Sequence, residues 1–179
     1  MKSSRTDHPD WPLVLLPVQI AFLELIIDPA CSVVFEAEQT DPAIMDLPPR
    51  PTDAPLLDRR TFVFAALQGL SALVAVAVVY GWALHDDLAE PTVRAMSLIT
   101  LVATNLLLIL ANRSWRLPLW RTVVERRNPT VAWILGGTSV LLALQLTVRP
   151  LRDAFSLGAV TAGQALVAVG ASLASLAWF

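Results

Sequence analysis

From Thr61 to Leu84 the chain reads TFVFAALQGLSALVAVAVVYGWAL, without one charged residue. A run of ~20 apolar residues is what an α-helix needs to cross a bilayer, and in hydrocarbon only helices and closed barrels satisfy their own backbone polar groups. Tyr80 and Trp82 close the run with amphipathic rings of the kind that sit at headgroup level. A soluble domain of 179 residues offers no interior large enough to hide such a segment. The remaining composition agrees, being 55% hydrophobic and 16% charged with a mean hydropathy of +0.60. The expectation is an all-α, polytopic membrane helical bundle.

About five transmembrane helices can be marked, over 13–36, 62–84, 93–112, 131–148 and 155–178. The chain then divides into a polar N-terminal segment 1–12, a first span 13–36, a Pro-rich loop 37–61 and a four-helix transmembrane region 62–179. In the last span small residues recur four apart, at Ala159 and Gly163 and at Gly170 and Ala174. That spacing predicts close approach of helix backbones. Gln68 and Gln145 are expected to be polar residues used in helix packing.

The loop around 112–129 carries Arg113, Arg116, Arg121, Arg126 and Arg127 against one acid, Glu125, whereas 85–91 carries Asp86, Asp87 and Glu90 without any Arg. The positive-inside rule puts the first loop in the cytoplasm and the second outside. Alternation makes 37–61 cytoplasmic, the turn 149–153 external, the N-terminus external and the C-terminus cytoplasmic; Lys2 and Arg5 run against this assignment. Arg residues confined to short connections exclude a nucleic-acid-binding face. One cysteine, Cys31, excludes an internal disulfide framework. The N-terminal sequence is not expected to be a cleaved lipoprotein leader, because Asp28 and Pro29 precede the cysteine and Glu24 interrupts the apolar run.

The first span is the unusual one. Glu24 and Asp28 lie four apart, so on a helix both carboxylates project from one face. Pro29 has no N–H for the carbonyl of Leu25, and its ring crowds that carbonyl, so the helix is expected to break near Pro29. Two carboxylates beside a freed carbonyl oxygen at Leu25 suit a hard cation (Ca, Mg or Mn) or a proton. The competing possibility is that the two acids are protonated or paired and serve packing alone. No Lys or Arg lies deep in the other spans to pair with them, and intramembrane carboxylates mark ion paths.

The run LPVQIAFLELIIDPACSVVFE followed by DPAIMDLPPRPTDAPLL resembles the sixth membrane helix and the next cytoplasmic loop of calcium-pump-like P-type cation-transporting ATPases. PVQ (17–19), IM (44–45), PPR (48–50) and PL (55–56) carry the resemblance. It implies that the chain is the C-terminal membrane region, helices six to ten, of such a pump. By position Glu24 falls where the family has a ligand Asn and Asp28 on the ligand Asp. Ile27 replaces a ligand Thr, Pro29 replaces a Gly, and Asn105 lies near a ligand position of the eighth helix.

Neither DKTGT nor TGES occurs in the chain. The expectation is therefore a non-enzyme on its own, binding no cofactor alone and contributing ligands for a transported cation only in an assembled pump. Its expected partners are the remaining half of that pump, with membrane helices one to five and the cytoplasmic domains, and the lipid bilayer, not nucleic acid. A free-standing membrane subunit derived from the same bundle is the alternative.

Overall fold

The computed structural model describes residues 12–36, 58–112 and 129–177, without the side chains of Asp28, Pro29 and Phe35. The described residues form helices and connecting segments, with no strand among them. The helices are α1 (Pro17–Glu36), α2 (Arg59–His85), α3 (Glu90–Asn112), α4 (Pro129–Thr147), α5 (Arg149–Ala154) and α6 (Ala162–Leu176). The first four are long and apolar enough to cross a membrane, while α6 is a shorter apolar helix. Residues 37–57 and 113–128, which carry most of the Pro and Arg signals, lie outside the described residues.

The helix α3 is the hub. Over its most apolar window 56% of residues are buried, against 17% for α2 and for α4. Val93 and Met96 pack with Val79, Tyr80 and Ala83 of α2; Leu98 and Val102 pack with Leu23 of α1. Ile109 closes the other end against Val34 of α1 and Val131 of α4. A helix surrounded in this way places its polar side chains inside, and α3 satisfies two of them along its own axis. Ser97 Oγ donates to the Val93 carbonyl and Thr100 Oγ1 to that of Met96, each at 2.9 Å.

Two tight corners join the elements. After α2, Asp87 takes a left-handed φ of 52°, and the amide of Leu88 bonds back to the Ala83 carbonyl at 3.1 Å. After α5, Ser156 does the same at φ 51°, with Leu157 N–H on the Arg152 carbonyl at 2.9 Å. Both are the reversed C-terminal bonds of a Schellman ending, which satisfy carbonyls the helix leaves over. The expected turn at 149–153 is thus a short helix, entered through Pro150 in its first turn, where a missing N–H costs nothing.

The fifth span differs from expectation. Residues 155–161 are not one helix with α6; α6 starts at Ala162 because Thr161 caps it. The Thr161 Oγ1 accepts the Gln164 amide at 3.3 Å and the Gln164 Oε1 accepts the Thr161 amide at 2.9 Å, a reciprocal capping box. The strap before it lies on the start of α3: Gly158 N–H donates to the Pro91 carbonyl at 2.7 Å, and Leu157 is buried in the core.

The small residues of α6 also act on a different face from the expected one. Gly163, Gly170 and Ala174 are exposed, as is Ala159 in the strap before the helix, and a Cβ added at either glycine would meet nothing within 4 Å. The buried line is Ala168, Ser172 and Leu176. Ser172 Oγ shares its one proton between the Thr100 carbonyl of α3 at 3.1 Å and the Ala168 carbonyl at 2.9 Å. Turning that hydroxyl to lipid would forfeit the interhelical bond, so Ser172 orients the helix and the glycines follow outward.

Candidate functional site

Helix α1 begins at Pro17, whose absent N–H is one of those a helix start leaves unused. Gln19, fully buried, reaches back with Oε1 to accept the Leu16 amide at 2.9 Å, and its Nε2 donates to the Phe155 carbonyl at 2.8 Å. One side chain therefore caps α1 and ties it to the end of α5. Phe22 adds an edge contact with Phe155, ring centroids 5.3 Å apart. Farther along, Leu23 and Val34 anchor the helix in the two cores shared with α3.

The break expected near Pro29 is not a break: α1 is helical from Pro17 to Glu36. The proline forfeits one hydrogen bond, to Leu25, but the packed stripe Leu23, Ile27, Ala30 and Val34 spans the position at helical spacing. Opening the helix there would turn the second half of that stripe away from α3 and α4. Tertiary packing outweighs the local defect, so Leu25 does not stand at an unwound turn. Its side chain is 74% exposed, on a face away from α3.

The structure does bring two of the expected site residues together. Glu24 of α1 and Asn105 of α3 line one cleft of about 280 Å³, whose remaining walls are Leu15, Ile20, Leu23, Ile27 and Leu101. Glu24 is exposed and Asn105 half-buried. Asn105, Ile27 and Leu23 also border a second, more enclosed space between α1, α3 and α4, to which α4 contributes Thr138. The Asp28 side chain lies outside the described residues. Among those described, no three His, Cys, Asp or Glu side chains come together in a way that could hold a metal ion. The cleft itself offers one carboxylate and one amide oxygen among aliphatic groups, and Ile27 occupies its wall where a hydroxyl would have supplied another oxygen.

Three residues that position the site escaped the sequence reading. Gln19 was visible as part of PVQ, and a Gln three residues after a helix start is the second half of a capping box. Gly158 and Ser172 gave no comparable signal, since their roles depend on which neighbour lies against them. Gln68 and Gln145 are buried as expected. Neither amide atom of Gln145 has a hydrogen-bond partner among the described residues, nor has Gln68 Nε2.

Compared with known protein families, residues 12–179 match the family described as "Cation transporting ATPase, C-terminus". No curated protein matches the chain.

Proposed function

Because the chain belongs to the C-terminal transmembrane region of cation-transporting P-type ATPases, we propose that it forms one wall of a cation path, with Glu24, Asp28 and Asn105 as ligands completed by the rest of the pump. The observation that carries this reading is the meeting of Glu24 and Asn105 in one cleft between α1 and α3. A carboxylate in a membrane span is costly unless it serves an ion or a proton. Asp28 is one helical turn beyond Glu24 on α1, a spacing that puts the two positions on one face of a helix.

Charge and donor type select the cargo. Carboxylate and amide oxygens suit Ca²⁺, Mg²⁺, Mn²⁺ or a proton and do not suit soft copper. The donors named here are too few for the six or more oxygens a calcium ion takes. Further ligands therefore come from helices outside this chain, which would also cover the exposed Glu24 face. ATP hydrolysis belongs to the partner portion carrying the phosphorylation and nucleotide-binding domains. The loops 37–61 and 112–129 face the cytoplasm and 85–91 the outside in this reading, on the strength of their charges.

The test is co-expression with a polypeptide carrying membrane helices one to five and the DKTGT loop. Cation-stimulated phosphorylation of that polypeptide should depend on this chain, should be abolished by Asp28→Asn and should be weakened by Glu24→Gln. Phosphorylation and cation affinity unchanged in the double variant would place the path elsewhere.

A further inference from the structure

Helices α2 and α6 line an apolar groove of about 540 Å³. One wall is Leu67, Leu70, Val74 and Val78 of α2, and the floor includes Ala171 and Ala174 of α6. Its two hydroxyls are already committed: Ser71 Oγ donates to the Gln68 carbonyl and Ser175 Oγ to that of Ser172, each at 2.8 Å. An occupant meets hydrocarbon alone.

The groove continues into a cation. Residues 60, 64, 67, 71, 74 and 78 recur at four- and three-residue steps, which on a helix form a single face. Arg60 therefore lies on the groove line, two turns beyond Leu67, with its guanidinium over the Phe64 ring at 5.6 Å. The one ion pair among the described residues is Arg94 with Glu90, so Arg60 has no carboxylate partner among them. Arg59 is exposed as well but falls on another side of α2. The positive charge thus stands at the polar end of α2, and the apolar groove runs from it toward the middle of the span.

Charge decides between the two apolar occupants a membrane provides. The groove runs roughly 16 Å from Leu67 to Val78 at the rise of an α-helix, a course an extended acyl chain can follow. Arg60 at its polar end, without a carboxylate partner among the described residues, favours an occupant that joins an anionic headgroup to an apolar chain, as a phospholipid does and an apolar helix does not. We propose that the α2–α6 groove is a site for one anionic phospholipid of the leaflet at the Arg60 end, an acyl chain lying in the groove and the phosphate at Arg60. The site is independent of the cation cleft, which lies between α1 and α3.

The full chain is reconstituted in phosphatidylcholine vesicles containing a trace of phosphatidylglycerol that bears a photoreactive group in its acyl chain; a parallel sample carries the same group on phosphatidylcholine. Labelling by the phosphatidylglycerol probe should concentrate on residues 67–78 and 171–175 and exceed that by the phosphatidylcholine probe. Arg60→Gln should lower it about fivefold, the equivalent of ~1 kcal/mol per basic residue at an anionic surface. Ala174→Leu fills an exposed position of the groove without touching the buried face of α6, and should lower labelling although Arg60 remains. Arg59→Gln should leave the pattern in place. Equal labelling by both probes, labelling insensitive to Arg60→Gln, or cross-linking of these residues to protein in place of lipid would each overturn the proposal.

Discussion

Gln19 Nε2 and the Phe155 carbonyl, 136 positions apart in sequence, are joined by a 2.8 Å hydrogen bond in the interior. The same side chain accepts the Leu16 amide, so its removal strands a donor and an acceptor together. Buried polar groups left unpaired cost about 1–3 kcal/mol each. Gln19→Leu should therefore lower the thermal stability of the detergent-solubilised chain and speed hydrogen exchange at Gln19 and Ile20, whose amides bond to the Leu16 carbonyl. Unchanged exchange at those amides would mean that the cap does not hold the start of α1.

Gly158 is where the strap and α3 come closest. A Cβ there would stand 2.4 Å from Thr92 Oγ1 and 2.5 Å from the Thr92 backbone nitrogen. The hydroxyl could move; the backbone could not. Gly158→Ala should destabilise by about 1–3 kcal/mol, the usual cost of overpacking. Adding Thr92→Ala should restore little of it, as judged by thermal unfolding of the single and double variants. Full recovery in the double variant would locate the clash in the side chain alone.

Gln145 offers the opposite outcome. It is 3% exposed and neither polar atom of its side chain has a partner among the described residues. Replacing an unpaired buried amide by an apolar group of similar shape is neutral or stabilising. Gln145→Leu should leave the midpoint of thermal unfolding unchanged or raise it. A drop equivalent to ~1 kcal/mol or more would reveal a hydrogen bond made by this amide in the membrane.

The parts of this architecture that were legible from sequence depend on local chemistry. The uncharged stretch around Leu67 to Leu84 defined a span by composition, and Glu24 and Asp28 stood out because acids are expensive in hydrocarbon. The start of α6 was missed: Thr161 and Gln164 form a capping box, but the apolar run on either side of it reads as one continuous span. Pro29 misled because a helix defect of one hydrogen bond was weighed without the stripe of Leu23, Ile27, Ala30 and Val34, which keeps the chain helical through it. The small-residue spacing misled for a related reason. Small residues four apart permit a close approach without requiring one, and the buried Ser172 hydroxyl lies on the face of α6 that meets α3.

Membrane orientation is open to a direct check through the two ends of α3. In a Cys31→Ser background, a cysteine placed by Asp86→Cys should react with an impermeant thiol reagent added outside intact cells, and one placed by Arg121→Cys should react only after permeabilisation. The warrant is the cluster of Arg residues after α3 against the acids between α2 and α3. The reverse pattern would invert the whole topology and place the proposed phospholipid in the other leaflet.

The final expectation concerns Asn105, which faces the same cleft as Glu24 from the opposite helix. An amide oxygen helps hold a cation without adding charge, so changing Asn105 separates ligation from electrostatics. Asn105→Leu removes the oxygen at similar size and leaves Glu24 as the one polar side chain among the described walls of the cleft. In the assembled pump cation affinity should fall about tenfold, the equivalent of ~1.4 kcal/mol, comparable to the loss of one hydrogen bond to a charged group. Asn105→Asp places a second carboxylate across from Glu24. Two like charges in one cleft repel, and a divalent cation relieves that repulsion more than a monovalent one does. The cation dependence of phosphorylation should accordingly become steeper in its preference for divalent ions. If Asn105→Leu and Asn105→Asp both left affinity and ion preference untouched, Asn105 would be a wall of the cleft and not a ligand, and the cation would have to be held by Glu24 and Asp28 with groups from the partner helices alone.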